Sequence, residues 1–217
     1  MTARVRFIEA EFKPIYVLVY DPRTLVKVLR ALEALGIEPK GVDAEQKVIE
    51  GVVIADDKGL EWSRRAGVKI RGTVVRVEED AMCTALRASH ASKKGGEGPL
   101  IVGVDLGENI GVAIVVGRSV VYAGTHRSSS KAIETLLSAV QCFSDRRRIV
   151  RIGIPKKDSE DYERVVKAII ESVDQGVELE MVPEHGTSKK EAFIDRDRKL
   201  KKDALAALNI ALARFSQ

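Results

Sequence analysis

Apolar residues run in short blocks separated by turn residues, and the blocks are sharpest after residue 100. Leu100–Leu106 (LIVGVDL) is apolar on both faces, the pattern of a central strand. Ile110–Val116 reads as a second strand, and Gly117-Arg118 as a tight turn into a third, Ser119–Gly124. Helical spacing runs from about Ser130 to Phe143. Arg148–Ile154 is a fourth strand stopped by Pro155, Ser159–Asp174 a helix, Val177–Val182 a fifth strand, and about Lys199–Phe215 a last helix. The expected order is βββαβαβα.

The first ninety residues are more mixed. Ile15–Tyr20 (IYVLVY) predicts a strand. Asp21-Pro22 then offers an N-cap with proline at the first helical position, and Leu25, Val28, Leu29, Leu32 and Leu35 follow at helical spacing until Gly36. Val48–Ala55 and Thr73–Val77 read as strands, Leu60–Ala66 and Asp80–Ser89 as short helices. Ser89–Pro99 (SHASKKGGEGP) is small, polar and glycine-rich, a linker by composition. The expectation is a small α/β or α+β domain of unassigned role over 1–90, a linker over 91–99, and an α/β domain over 100–217.

Composition narrows this picture. At 217 residues and 45% hydrophobic, the chain has enough apolar material for two cores. Charged residues make up 31% while Asn and Gln are scarce, a balance common in proteins from hot environments. The net charge is +4, which permits nucleic-acid binding without requiring it. Cys83 and Cys142 form no CxxC pattern, so they read as small buried residues, not a zinc site or disulfide framework. No apolar run reaches membrane-spanning length, and the acidic residues near the N-terminus do not suit a signal peptide. The expectation is a cytoplasmic protein. Phosphate-loop, HExxH and GxSxG motifs are absent.

Three acidic residues stand where carboxylates need a reason. Asp105 ends an apolar central strand, where an isolated charge is costly. Asp203 lies on or beside the apolar stripe Leu200, Ala204, Ala207, Leu208, Ala211, Phe215. Glu184 follows the fifth strand and precedes His185. The ordinary alternatives are a turn role for Asp105, a helix-dipole role for Asp203 and a plain loop charge for Glu184.

The segment Ile101–Gly111 (IVGVDLGENIG) resembles the first-strand signature of RuvC-type and YqgF-type nucleases, in the ribonuclease H-like superfamily. Val182–Thr187 (VPEHGT) resembles the acidic motif after the fifth strand in the YqgF type. Lys202–Leu212 (KDALAALNIAL) resembles the last-helix motif of both. The resemblance implies a ribonuclease H-like mixed five-stranded sheet and a metal-dependent nuclease for structured RNA or branched DNA. By it, Asp105, Glu184 and Asp203 hold Mg²⁺ or Mn²⁺ and carry catalysis; His185, read on its own terms, is a candidate acid or base or an exposed loop residue. Hard oxygen donors are what such ions take. In the RuvC type a further acid comes from the fourth strand, and RIGIPKK has none. The YqgF-type motif tends to place an Arg after its acid, where this chain has His185-Gly186. Asp195 and Asp197 are substitutes for Glu184.

Basic residues cluster around these motifs: Arg146, Arg147, Arg148, Lys156, Lys157, Lys189, Lys190, Arg198 and Lys202. They are candidates for phosphate contacts. RuvC-type enzymes act as dimers, so a homodimer is a further expectation. Two other readings compete. One is a non-catalytic nucleic-acid- or partner-binding protein with the same fold. The other is a nucleotide-binding protein, because VGVDLGENIGVAIV also resembles the first phosphate motif of the actin and sugar-kinase superfamily.

Overall fold

A computed structural model describes residues 6–9, 12–43, 45–93, 96–155, 160–183, 191–194 and 200–213. The chain divides into two compact units, residues 11–94 and residues 1–10 with 95–217. The first ten residues therefore do not join the small domain expected over 1–90. Their strand β1 (Arg6–Glu9) pairs in parallel with β10 (Glu191–Ile194), far along the chain.

The smaller unit runs β2 (Ile15–Leu18), α1 (Pro22–Ala34), β3 (Val48–Ala55), α2 (Asp57–Arg65), β4 (Lys69–Arg76), α3 (Ala81–Ala91). Its strands form a parallel sheet in the order β2-β3-β4. Each helix starts on an aspartate. The Asp21 carboxylate accepts from the Thr24 N–H, Asp56 from Gly59 and Asp80 from Met82, which satisfies donors that a helix N-terminus leaves open. Gly36 follows α1 with φ 67°, a turn conformation that glycine adopts without steric cost. Strand β4 starts at Lys69, four residues before the expected Thr73. It is an edge strand of the sheet, where charged residues such as Lys69 and Arg71 are tolerated. Helix α3 continues through Ala91, so residues 89–91 are helical and not linker.

The larger unit runs β5 (Leu100–Asp105), β6 (Ile110–Val116), β7 (Ser119–His126), α4 (Ser129–Cys142), β8 (Arg148–Ile154), α5 (Glu160–Ser172), β9 (Val177–Pro183), β10 and α6 (Lys202–Ala211). The sheet order is β1-β10-β7-β6-β5-β8-β9. Within it, β7-β6-β5-β8-β9 is a five-stranded mixed sheet: β5 is antiparallel to β6 and parallel to β8, and β8 is parallel to β9. This arrangement is compatible with a ribonuclease H-like fold. Two short strands, β10 and β1, extend it beyond β7.

Helix α6 packs on the face that carries Ile101, Ala113, Val115 and Ile149, with Ala204, Ala207, Leu208 and Ala211 buried against them. Bare backbone makes this approach close. A Cβ on Gly103 would meet the Ala207 carbonyl oxygen at 2.1 Å, and one on Gly111 the Asp203 carbonyl oxygen at 2.1 Å. One on Gly153 would meet the Ile210 Cδ1 at 2.5 Å.

Both cysteines are buried, but neither is a free thiol. Among the described residues no helix is long and apolar enough to cross a membrane.

Candidate active site

Side chains alternate across a strand, so Ile101, Gly103 and Asp105 share the face of β5 under α6. Asp105 is the last residue of the strand and is partly buried. Its partner on β6 is Gly111, the residue that lies under the Asp203 backbone. Gly111 is paired in turn with Thr125 of β7. The two aspartates thus both adjoin Gly111 at one end of the sheet, Asp105 through the antiparallel pair and Asp203 through the helix backbone that the bare glycine admits.

Asp203 is the second residue of α6, which starts at Lys202 and not at the expected Lys199. A first-turn carboxylate is favoured by the helix dipole. Asp203 is also partly buried, and its carboxylate has no hydrogen-bond or ion-pair partner among the described residues. The buried stripe beside it is Ala204, Ala207, Leu208 and Ala211, as the spacing predicted; Phe215 lies outside the described residues.

The other end of α6 is held by a buried arginine. Arg151 lies on β8, paired with Gly103, and is only 7% exposed. Its Nη1 donates to the carbonyl oxygens of Ala211 and Ala213, both at 2.7 Å. Its Nε donates to Glu180 Oε2 of β9 at 2.6 Å. The last carbonyls of a helix lack partners within it, and a cation there also meets the negative end of the dipole. Arg151 supplies both.

Strands β5, β8 and β9 are parallel, so their C-terminal ends share the edge that carries Asp105. No acid of β8 accompanies it there. The α6 side of β8 carries Ile149, Arg151 and Gly153. Glu184 follows β9 directly, and Glu184, His185, Asp195 and Asp197 lie outside the described residues. So do Lys156, Lys157, Lys189, Lys190 and Arg198. Among the described residues no group of three His, Cys, Asp or Glu is placed to hold a metal ion.

Lys202 adjoins Asp203 in the chain and is exposed. Arg146, Arg147 and Arg148 are not brought to this edge. Arg148 pairs with Leu100 at the start of β5, five residues and roughly 16 Å down the strand from Asp105. Two of the three arginines are engaged in bidentate pairs. Arg147 donates to both Glu178 oxygens at 2.7 and 2.6 Å, and Arg148 to both Asp174 oxygens at 2.8 and 3.0 Å. These bonds hold the Glu178 and Asp174 carboxyls below their ordinary values. Arg146 donates to the Gly98 carbonyl at 3.0 Å.

One group at the Asp105 end was not anticipated. β7 continues past Gly124 to His126, whose partner is Ile110. Tyr122 crosses the bare Gly124, and its hydroxyl lies 3.3 Å from His126 Nε2. Burial pushes the imidazole below its ordinary value; Glu134 opposes the shift and Lys131 adds to it. The signal in the sequence was the Tyr-x-Gly-x-His alternation, which keeps all three positions on one strand face.

No protein-family model matches the chain, and no curated protein matches it. Among solved structures, it is similar to the Argonaute of Marinitoga piezophila in complex with guide RNA and target DNA. The identity is 13% and the TM-score 0.31, over 83% of this chain and 41% of that one. It is similar also to Aa-Ago with externally bound siRNA, at 12% identity and TM-score 0.28, over 82% and 36%. The chain thus spans less than half the length of either. Likeness at this level carries no argument about family or activity.

Proposed function

We propose that this chain is a divalent-metal-dependent nuclease that hydrolyses phosphodiester bonds in structured RNA or branched DNA. The observation that supports it most is the juxtaposition of Asp105 and Asp203. Two carboxylates from distant segments share one end of the sheet, and one of them has no partner among the described residues. A charge placed so against a core helix asks for a counter-ion.

The donor chemistry fits Mg²⁺ or Mn²⁺, which take hard oxygen ligands. Asp105 and Asp203 would hold the ion, with Glu184 as the third donor implied by the YqgF-type resemblance. When bound, such an ion neutralises phosphate charge and lowers the pKa of water. The chain's own contribution is positional. Gly111 fixes the separation of the two aspartates, and Arg151 fixes the far end of the helix that carries Asp203. Lys201 and Lys202, exposed at the helix start, are suited to bind phosphate oxygens. His185 is an acid or base candidate.

A second reading is favoured by β8, which has Gly153 and Arg151 on the α6 side and no acid. It is a non-catalytic nucleic-acid-binding protein with the same fold. One experiment separates them. Labelled four-way junctions, duplexes and structured RNAs are incubated with Mg²⁺ or Mn²⁺ and either wild type or Asp105→Asn. Metal-dependent cleavage lost in the variant supports the nuclease. Binding without cleavage, unchanged by the variant, supports the second reading.

A further inference from the structure

Strand β9 ends the larger sheet, with β8 on one side and no strand on the other among the described residues. An edge of this kind leaves a row of backbone N–H and C=O groups open to another strand. Proteins guard such edges with lysine, an internal proline, a bulge or brevity. Edge strand β4 carries Lys69, Arg71 and Arg76, and β1 is four residues long. β9 (VELEMVP) has seven residues, no Lys or Arg, and its proline last. It pairs with β8 without a register shift from Val177 to Pro183.

The two faces of β9 differ. Glu180 is paired with Arg151 and Glu178 with Ile149, so both acids lie on the α6 side. Each is neutralised within the chain. Glu178 accepts two bonds from Arg147 at 2.7 and 2.6 Å, and Glu180 one from Arg151 at 2.6 Å. The opposite face carries Val177, Leu179 and Met181. Leu179 is 38% exposed and Met181 41%, although the strand is packed against β8. Apolar side chains beside an open backbone edge fit a second extended strand, which would cover both at once.

The order of residues on β9 makes it complementary to itself. In an antiparallel pair, directly opposed residues share a face, so a two-fold axis normal to the sheet must pass through one residue and its copy. With the axis at Leu179, the apolar face reads Val177 against Met181, Leu179 against Leu179 and Met181 against Val177. On the other face Glu178 stands against Glu180, and the arginine that each acid already holds leaves that row without net charge. Pro183, which has no N–H to give a ladder, stays outside the paired stretch. An axis at Glu180 would oppose Glu180 to its own copy. An axis at Met181 would draw Pro183 into the pair, opposite Leu179.

We propose that β9 docks a second copy of this chain, strand to strand and antiparallel, about a two-fold axis at Leu179. The two sheets become one continuous sheet, and each copy removes the other's open edge. A two-fold contact uses the same patch on both partners and closes on itself, so assembly stops at the dimer. The proposal stands whether or not the chain cleaves nucleic acid.

Sedimentation of the full chain from about 1 µM to 1 mM, the range of weak interfaces, tests it. A monomer–dimer equilibrium is expected. Leu179→Lys sets two lysines opposite each other at the axis, and should raise the dissociation constant at least about ten-fold. Val26→Lys, at a 46% exposed position on α1, should leave it unchanged. Circular dichroism checks that both variants fold. Leu179→Cys places two thiols across the axis, and a short bis-maleimide should couple them into a covalent dimer; this arm does not depend on how well lysine is tolerated. A chain that stays monomeric over the whole range overturns the proposal. So does a dimer that Leu179→Lys leaves intact, or one in which the Leu179→Cys chains do not couple.

Discussion

Replacing Arg151 with methionine tests how the far end of α6 is held. The change keeps an unbranched, largely apolar stem and removes the guanidinium. Three bonds go with it: two to the Ala211 and Ala213 carbonyls and one to Glu180. The arginine side chain is 8% exposed and the glutamate 25%, so water restores little of what is lost. Removing one partner of a buried, hydrogen-bonded charge pair costs about 3–5 kcal/mol. Glu180→Gln is milder. Arg151 keeps both carbonyls, and the glutamine can still accept, so the cost is about 1–2 kcal/mol. Removing both charges with Arg151→Met and Glu180→Leu should fall between, because the buried carboxylate is gone but the carbonyls stay unpaired. Urea denaturation followed by far-UV circular dichroism reads this order. With a slope of about 2.5 kcal/mol/M, the midpoint should drop by between about 1 and 2 M for Arg151→Met. Hydrogen exchange over residues 200–213 should rise most in the same variant. If Arg151→Met lowers the midpoint no more than Glu180→Gln, the carbonyl bonds contribute nothing and the reasoning is wrong.

Two further outcomes concern the Asp105 end of the sheet. Gly111→Ala puts a methyl 2.1 Å from the Asp203 carbonyl oxygen, so the first turn of α6 must shift. Overpacking of this kind costs about 1–3 kcal/mol, and cleavage in the junction and RNA panel should fall further than that loss of stability explains; full activity in a folded variant would remove Gly111 from the site. His126 is held below its ordinary value by burial, so the unfolded chain takes up its proton first as pH falls through about 6.5. The stability this group contributes is complete above that pH and declines below it until the folded group also protonates. The urea midpoint of wild type should therefore drop more between pH 7.5 and 5.5 than that of His126→Gln, and equal drops would count against it.

Much of the larger unit was legible because its central strands are buried on both faces and read as unbroken apolar runs. Asp105 and Asp203 stood out as charges where such patterns exclude them. Their meeting at Gly111 did not, since it depends on which residue of β6 faces which residue of β5. Strands β1 and β10 escaped notice because four residues with charged neighbours carry no periodicity of their own; each exists through its partner. Arg151 was passed over as one charge in an apolar strand, although its burial is the stronger oddity. His126 was missed by ending β7 at Gly124, which instead lies within the strand and makes room for the Tyr122 ring. Glu184 and His185 lie outside the described residues.

The pairing of β1 with β10 has a consequence for how the chain is made. Residues 6–9 leave the ribosome long before their partners at 191–194. At about 5–20 residues per second, β1 waits roughly ten to forty seconds for the strand it joins. The whole smaller unit is synthesised within that interval, so it can fold while the larger sheet is still missing an edge. A nascent chain arrested before residue 191 should therefore hold β1 open to protease, and release past that point should close it.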